Sequence, residues 1–198
     1  ILLQNTEQML YQLDEKEMMQ ETISVSDMKM ELFKIVQYVE MALNYLRVED
    51  ISSDLVFKKH ELDDMVRQVI RKYAKIFISK KIKMDFIPTK ACIVTDEKWF
   101  IFVLEQIISN ALKYTKKGQI SIYMKEKSLV IEDTGIGIPE DQKERIFERF
   151  YRVDKSHSRE IGGTGLGLSI VKHGAILHNA KIHVDSELGK GTRMELTF

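Results

Sequence analysis

Cysteine is nearly absent from this 198-residue chain. Cys92 stands alone, so no disulfide within the chain can staple the fold, and a cytosolic, reducing compartment fits. A lone cysteine ordinarily serves as a small buried apolar residue, and Cys92 is expected to do so. Only two prolines occur, and residues 1–50 contain neither proline nor glycine, which excludes an N-terminal region built from turns. Formal net charge is zero, so no nucleic acid or anionic lipid surface is implied as a partner. No apolar run approaches the roughly 18–20 residues of a membrane-spanning helix. No secretory signal is visible, and the chain as given is expected to be soluble. What remains, 44% apolar and 30% charged residues, is ordinary for a globular protein; the length allows one domain with a helical appendage or two small ones. The chain starts with Ile1 in mid-pattern, and the expectation is a piece of a longer protein.

Residues 1–50 are rich in Leu, Met, Glu, Gln and Lys, all good helix formers. Leu32, Ile35, Val36, Val39, Ala42, Leu43 and Leu46 recur at helical spacing, as Leu3, Met9, Leu10, Leu13 and Met18 do more loosely. Ser26 or Asp27 can cap the second stretch. The region therefore reads as two helices or one broken helix, with an apolar stripe that a helical-bundle dimer would cover. Residues 51–54 read as a linker, and from Leu55 the pattern turns α/β. Strands are expected at residues 55–59, 82–86 and 91–94, the last two around a turn at Pro88. Further strands fall at 120–124 and 129–131, joined as a hairpin, and at 181–184 and 194–198. Helices are expected at 61–78, from a cap at Asp96 through Asn110, and from Gly165 to Leu177. Strands that mostly pair with sequence neighbours, beside clustered helices, favour an α+β fold with a mixed, mostly antiparallel sheet and its helices on one face.

Three segments carry the chemistry. The first is the helical run Glu105-Gln-Ile-Ile-Ser-Asn110-Ala-Leu-Lys-Tyr-Thr115. The Asn110 side-chain oxygen is a neutral hard ligand suited to Mg2+, Lys113 offers a point charge to phosphate, and Tyr114 can pack on a base or sugar. The second is Val130-Ile-Glu-Asp133-Thr-Gly135-Ile-Gly137-Ile-Pro139. A carboxylate at this strand end can accept from the exocyclic amine of adenine, while Gly135 and Gly137 let backbone approach a flat ring. The third is Gly162-Gly-Thr-Gly165-Leu-Gly167-Leu-Ser169, glycines that lead into a helix whose first N–H groups favour phosphate. Taken singly, each has a bland alternative: a solvated helical Asn, an Asp-Gly turn, a loose glycine loop. No Walker-type G-x-x-x-x-G-K-[ST] occurs, and the loop lacks the flanking βαβ unit of a dinucleotide fold.

In this order the three segments closely resemble the N, G1 and G2 boxes of the Bergerat ATP-binding fold, shared by histidine kinases, gyrase-type ATPases, the heat-shock chaperone of mass ninety and mismatch-repair ATPases. Phe147-Glu-Arg-Phe150-Tyr-Arg152 is similar to the F box of histidine kinases, and Gly189-Lys-Gly191-Thr192 to the family's final turn. The resemblance covers residues 55–198 strongly and 26–50 more weakly, as the second helix of a dimerisation hairpin. It implies an α/β sandwich preceded by a partial hairpin, and an ATP:protein-histidine phosphotransferase of a two-component system with ATP and Mg2+ as cofactors. The implied site is Asn110 (which would hold Mg2+), Lys113, Tyr114, Asp133, Gly135, Gly137, Ile138, Phe150, Arg152, Gly163, Thr164, Gly165, Leu166, Gly167, Leu168 and Thr192. Residues 138–162 would form a lid over the nucleotide. The implied partners are a response-regulator receiver domain and a second copy through the hairpin, and the implied setting is the cytoplasmic part of a membrane-anchored sensor. Residues 41–49 and 96–114 look like intramembrane-sensing kinases that work beside an ABC transporter, which makes such a transporter a candidate partner. Residues 150–155 and 163–192 look more like phosphate-regulon-type kinases.

Two departures from the family pattern stand out. Gyrase-like members place a Glu four residues before the Mg2+ Asn as base for water attack; here that position is Gln106, and Glu105 lies about 100° around the helix. An amide cannot take the proton, so ATP hydrolysis is expected to be slow. Secondly, His60, His157, His173, His178 and His183 all lie outside residues 1–50, and none precedes an acceptor-like segment, so surface or packing roles are expected for all five. The acceptor histidine is therefore expected N-terminal to Ile1, leaving a chain that binds ATP without phosphorylating itself. A nucleotide-binding or pseudokinase scaffold and a gyrase-like ATPase are the other readings.

Overall fold

The computed structural model describes residues 55–153 and 165–198, together with Met28, Leu32, Ile35 and Val39. The chain forms two compact units, Ile1–Leu46 and Arg47–Phe198. In the first, the four described residues are helical and each is more than half exposed. The cap expected at residues 26–27 and the linker at 51–54 lie outside the described residues.

The second unit runs β1 (Lys58–Glu61), α1 (Leu62–Lys80), β2 (Ile82–Phe86), β3 (Cys92–Thr95), α2 (Glu97–Tyr114), β4 (Gly118–Lys125) and β5 (Ser128–Asp133). Two 3-10 turns, Glu140–Gln142 and Arg145–Phe147, precede α3 (Gly167–Leu177), β6 (Lys181–Glu187) and β7 (Gly191–Thr197). Five strands form the main sheet in the order β2-β4-β5-β7-β6. β2 and β4 are parallel and the other pairs antiparallel. A parallel pair needs a crossover, which β3 and α2 supply. The mixed α+β sheet expected from the sequence is thus the one observed.

Alternation along the strands sends Ile82, Ile120, Ile122, Leu129, Ile131, Met194 and Leu196 to one face. There they form one core with Val66, Val69 and Tyr73 of α1, Leu104, Ile107 and Ile108 of α2, and Val171 and Ala175 of α3. Lys83, Asp85, Gln119, Glu132 and His183, at the intervening strand positions, are exposed. One face therefore packs the helices, and the other is mostly polar, with Val130 buried on it between Tyr123 and Glu195 of the neighbouring strands.

Several expectations need correction. The strands on either side of Pro88 are present, but in different sheets: β3 pairs with β1 as a separate two-stranded sheet. The cause lies in α1. Asp63, in its first turn, accepts from the Thr89 N–H at 2.8 Å, the Thr89 hydroxyl at 2.7 Å and the Lys90 N–H at 3.1 Å. The β2–β3 connection is thus drawn over to the start of α1. β1 begins at Lys58, not Leu55, and α3 begins at Gly167, not Gly165. Cys92 is exposed, because in β3 it is Ile93 and Thr95 that alternate inward.

Asp63 yields a first expected result. Its burial raises the carboxyl pKa, but the Thr89 and Lys90 hydrogen bonds and the Arg67 charge outweigh this and hold it below the usual value. A lowered acid contributes stability above its unfolded pKa, and that contribution is lost as pH falls through the folded one. Asp63→Ala should cost about 1–3 kcal/mol in urea unfolding at pH 7, and the difference from the parent should shrink at acid pH.

Candidate functional site

α2 brings the first group of residues into place. Asp96 caps it, its Oδ1 accepting the Trp99 N–H at 3.0 Å, and its apolar stripe from Phe100 to Leu112 is buried. Its last turn then carries Asn110, half-buried, followed by Lys113 and Tyr114. Thr115 ends the helix fully buried.

Beneath this end lies Asp133, the last residue of the central strand β5 and 9% exposed. Its Oδ1 takes the Gly135 N–H at 2.8 Å and the Thr115 hydroxyl at 3.5 Å. Burial pushes the carboxyl up, while hydrogen bonds from Gly135, the Thr192 backbone and Thr115 pull it down; the net shift is upward. A Cβ at Gly135 would stand 2.6 Å from the Tyr114 carbonyl oxygen and 2.7 Å from Asp133 Oδ1, so the turn closes on the helix end only with glycine. Gly137 has φ +70°, and a Cβ there would meet the Glu187 carbonyl oxygen at 2.0 Å.

The turn is also tied to the β6–β7 corner. Ile138 N–H donates to Ser186 Oγ at 2.9 Å, and the Ser186 hydroxyl donates to the Gly191 carbonyl at 2.7 Å. The Thr192 hydroxyl lies 3.0 Å from Ser186 Oγ. Since the single Ser186 proton is committed to Gly191, Thr192 donates to Ser186 and keeps its own lone pairs for another group. Asp133 and Thr192 are paired in register across β5 and β7.

Lys113 and Arg152 are brought within electrostatic range. Burial, and then the Arg152 charge, lower the Lys113 ammonium to about 8. The same ammonium sits 5.2 Å above the Tyr114 ring. Burial raises the Tyr114 phenol, and Arg152 opposes that shift. Within the expected lid, Phe150 is 68% exposed with φ +63°, an uncommon conformation for a bulky residue. Its N–H donates to the Gly165 carbonyl at 3.0 Å, joining the F-box segment to the glycine loop. Tyr151 donates to Gln142 Oε1 at 3.1 Å and lies under the Arg145 guanidinium at 4.3 Å. Lys172 of α3 stands 5.6 Å from the Phe147 ring centroid.

Gly163 and Thr164 lie outside the described residues. Leu166 and Leu168 flank the start of α3, and the Leu166 carbonyl receives the Ser169 hydroxyl at 2.7 Å. At Gly167, a Cβ would stand 2.8 Å from Gln106 Oε1, so the start of α3 lies against α2 one turn before Asn110. Glu105 is turned elsewhere: both its oxygens lie 2.8 Å from Lys72 of α1. Sequence reasoning missed Thr115 and Ser186. Their partners lie 18 and 48 residues away; Thr115 closes the first motif without a role of its own there, and Ser186 stands in a segment read as a turn. Among the described residues no group of three or more His, Cys, Asp or Glu could hold a metal.

Residues 95–198 match the family described as histidine kinase-, DNA gyrase B-, and HSP90-like ATPase. The sensor-like histidine kinase SenX3 of Mycolicibacterium smegmatis is 36% identical over 144 residues, covering 70% of this chain and 38% of that protein. The signal transduction histidine-protein kinase ArlS of Staphylococcus aureus is 35% identical over 175 residues, 85% of this chain and 38% of that one. The chain thus spans well under half the length of these curated relatives. Among solved structures, full-length ShkA in complex with AMPPNP shares the fold, with a TM-score of 0.68 over 82% of this chain and 35% of that chain, at 24% identity.

Proposed function

Because the chain belongs to the histidine kinase-, DNA gyrase B-, and HSP90-like ATPase family, we propose that it is the ATP-binding catalytic part of a two-component sensor histidine kinase. In this reading it passes the ATP γ-phosphate to a histidine and thence to a response regulator. The observation that carries it is the buried Asp133 carboxylate. With Oδ1 taking Gly135 and Thr115 and the Thr192 backbone N–H also donating to the carboxylate, a remaining lone pair on the second oxygen can accept the exocyclic amine of adenine. Thr192 lone pairs border the same place, and Gly135, Gly137 and Ile138 form the wall against the ring.

The residues present fit Mg2+ with ATP. Asn110 offers one neutral oxygen close to Lys113, as suits an ion that keeps most of its water and shares phosphate oxygens. That ion would supply charge neutralisation at the phosphates. Lys113 and Arg152 would steady the phosphates, and Tyr114 would line the sugar side. Phe150, within the lid expected at residues 138–162, would close over the nucleotide, and the backbone at Gly165 to Leu168 would face its phosphates. The chain contributes positioning and charge rather than covalent chemistry. With Gln106 against Gly167 and Glu105 held by Lys72, this stretch of α2 aims no carboxylate as a base for water. Transfer to an acceptor is therefore favoured over hydrolysis.

Dimerisation through the exposed stripe of Met28, Leu32, Ile35 and Val39, attachment to a membrane sensor and work beside an ABC transporter belong to the same reading. Of the histidines, His60, His173, His178 and His183 sit in the second unit, and His157 lies outside the described residues. The chain alone should therefore not retain label from γ-labelled ATP. Given a separate acceptor hairpin from a relative, it should produce acid-labile, base-stable phosphohistidine, and Asn110→Ala should abolish the product. Brisk hydrolysis with no transfer would favour the gyrase-like reading instead.

A further inference from the structure

α2 and α3 lie side by side and antiparallel. Gln106 meets Gly167 at one end, Val103 and Trp99 pack on Gly174 in the middle, and Asp96 meets His178 at the other. The first end carries Asn110, Lys113 and the glycine loop. The second, about 20 Å away along α2, holds the segment that enters the catalytic unit.

That segment is gripped by polar groups. Val56 N–H donates to Asp96 Oδ2 at 3.0 Å, while Oδ1 of the same carboxylate caps α2. Asp96 N–H donates to His178 Nε2 at 3.4 Å. His178 Nδ1 lies 2.8 Å from the Gly174 carbonyl. A carbonyl only accepts, so Nδ1 carries the proton and Nε2 keeps its lone pair for Asp96. The Phe57 ring lies against the His178 ring at 5.2 Å. Val56 and Phe57 are 56% and 45% exposed, so apolar burial does little to hold this segment. The surface or packing role expected for His178 becomes a specific tie.

We propose that Asp96 and His178 are positioning residues: they clamp residues 55–57 onto the shared end of α2 and α3, coupling that segment to the helices that present Asn110, Lys113 and the glycine loop. The coupling rests on the ATP-site reading; the clamp itself does not. Binding linkage is reciprocal, so nucleotide at the far end must change the hold on Val56 as much as the hold on Val56 changes nucleotide affinity.

Amide hydrogen exchange by NMR on the whole chain tests both parts, with thermal unfolding to confirm that each variant folds. Asp96→Asn keeps an oxygen for the α2 cap but places an amide NH2 beside Val56 N–H. His178→Ala removes the acceptor, and His178→Gln can return an amide oxygen to Asp96 N–H. Val56 should exchange about 10-fold faster in Asp96→Asn and in His178→Ala, and His178→Gln should recover most of the protection. The double variant should exchange no faster than the faster single one. The parent imidazole should show the Nδ1–H tautomer in its nitrogen shifts. With Mg2+ and a non-hydrolysable ATP analogue, Val56 exchange should slow severalfold in the parent and stay unchanged in either loss variant. Parent-like Val56 exchange in His178→Ala overturns the clamp. Binding, seen as a shift of the Gly135 amide, with no change at Val56 in the parent overturns the coupling. Failure of the analogue to bind counts against the ATP site, and the nucleotide-free rates still decide the clamp.

Discussion

Asp133→Asn is expected to fold more stably than the parent and to bind ATP roughly 100-fold more weakly. Both effects follow from one buried carboxylate. Burial raises its pKa, so between the unfolded and folded values the native state holds more protons than the unfolded one. Stability therefore falls as pH rises through that window, and at neutral pH the ionised group costs stability. The amide removes that cost. Its oxygen stays with the Gly135 N–H and Thr115 hydroxyl, so its NH2 takes the place of the second oxygen. A donor then faces the adenine amine, and the loss of a charge-assisted bond worth about 3 kcal/mol corresponds to the stated fold-change. Thermal unfolding and calorimetric titration on the same sample read the two effects. A destabilised variant, or one that binds like the parent, contradicts the role given to Asp133.

Lys113 gives the second large effect. Its ammonium is lowered to about 8 by burial and the Arg152 charge, so near pH 8 half of it is neutral before any anion arrives. A triphosphate beside it favours the charged form, and binding should draw in a proton around pH 8–9. Affinity should fall as pH rises from 7 to 9.5. The apparent enthalpy should vary with the ionisation enthalpy of the buffer. Lys113→Met should abolish the proton uptake and weaken binding about 10- to 100-fold. The stability effect runs the other way. The unfolded chain holds more protons between about 8 and 10.5, so the parent gains stability across that window and pays at neutral pH for the buried cation. Lys113→Met should then unfold at a higher temperature at pH 7. Proton uptake that survives in the variant would place the titrating group elsewhere.

Much of the fold is local, and this is why it is legible in the sequence. The Asp96 cap, the apolar stripe from Phe100 to Leu112 and the polar turn between β4 and β5 each reflect contacts within a few residues. The exceptions are long-range. Nothing near Pro88 announces that Asp63 of α1 holds the β2–β3 connection, so the sequence shows two strands around a turn there and not that β3 joins β1 in a separate sheet. The site shows the same division. Asn110, Asp133, Gly135 and Gly137 are legible as motifs, and the structure sets Asp133 and Gly135 against Tyr114 and Thr115 at the end of α2, the helix that carries Asn110. Thr115 and Ser186 orient Asp133 and the G1 turn across distances of 18 and 48 residues, and no spacing in the sequence encodes such pairings. Glu105 and Gln106 point about 100° apart on α2, and their partners, Lys72 of α1 and Gly167 of α3, lie on different neighbouring helices.

The most direct test of the central claim is calorimetric titration of the chain with a non-hydrolysable ATP analogue, with and without Mg2+, beside Asn110→Ala. The account expects micromolar-scale binding, about −8 kcal/mol, that weakens sharply when either Mg2+ or the Asn110 side chain is removed. A folded chain that binds no analogue, or binds it equally well in all three conditions, would contradict it.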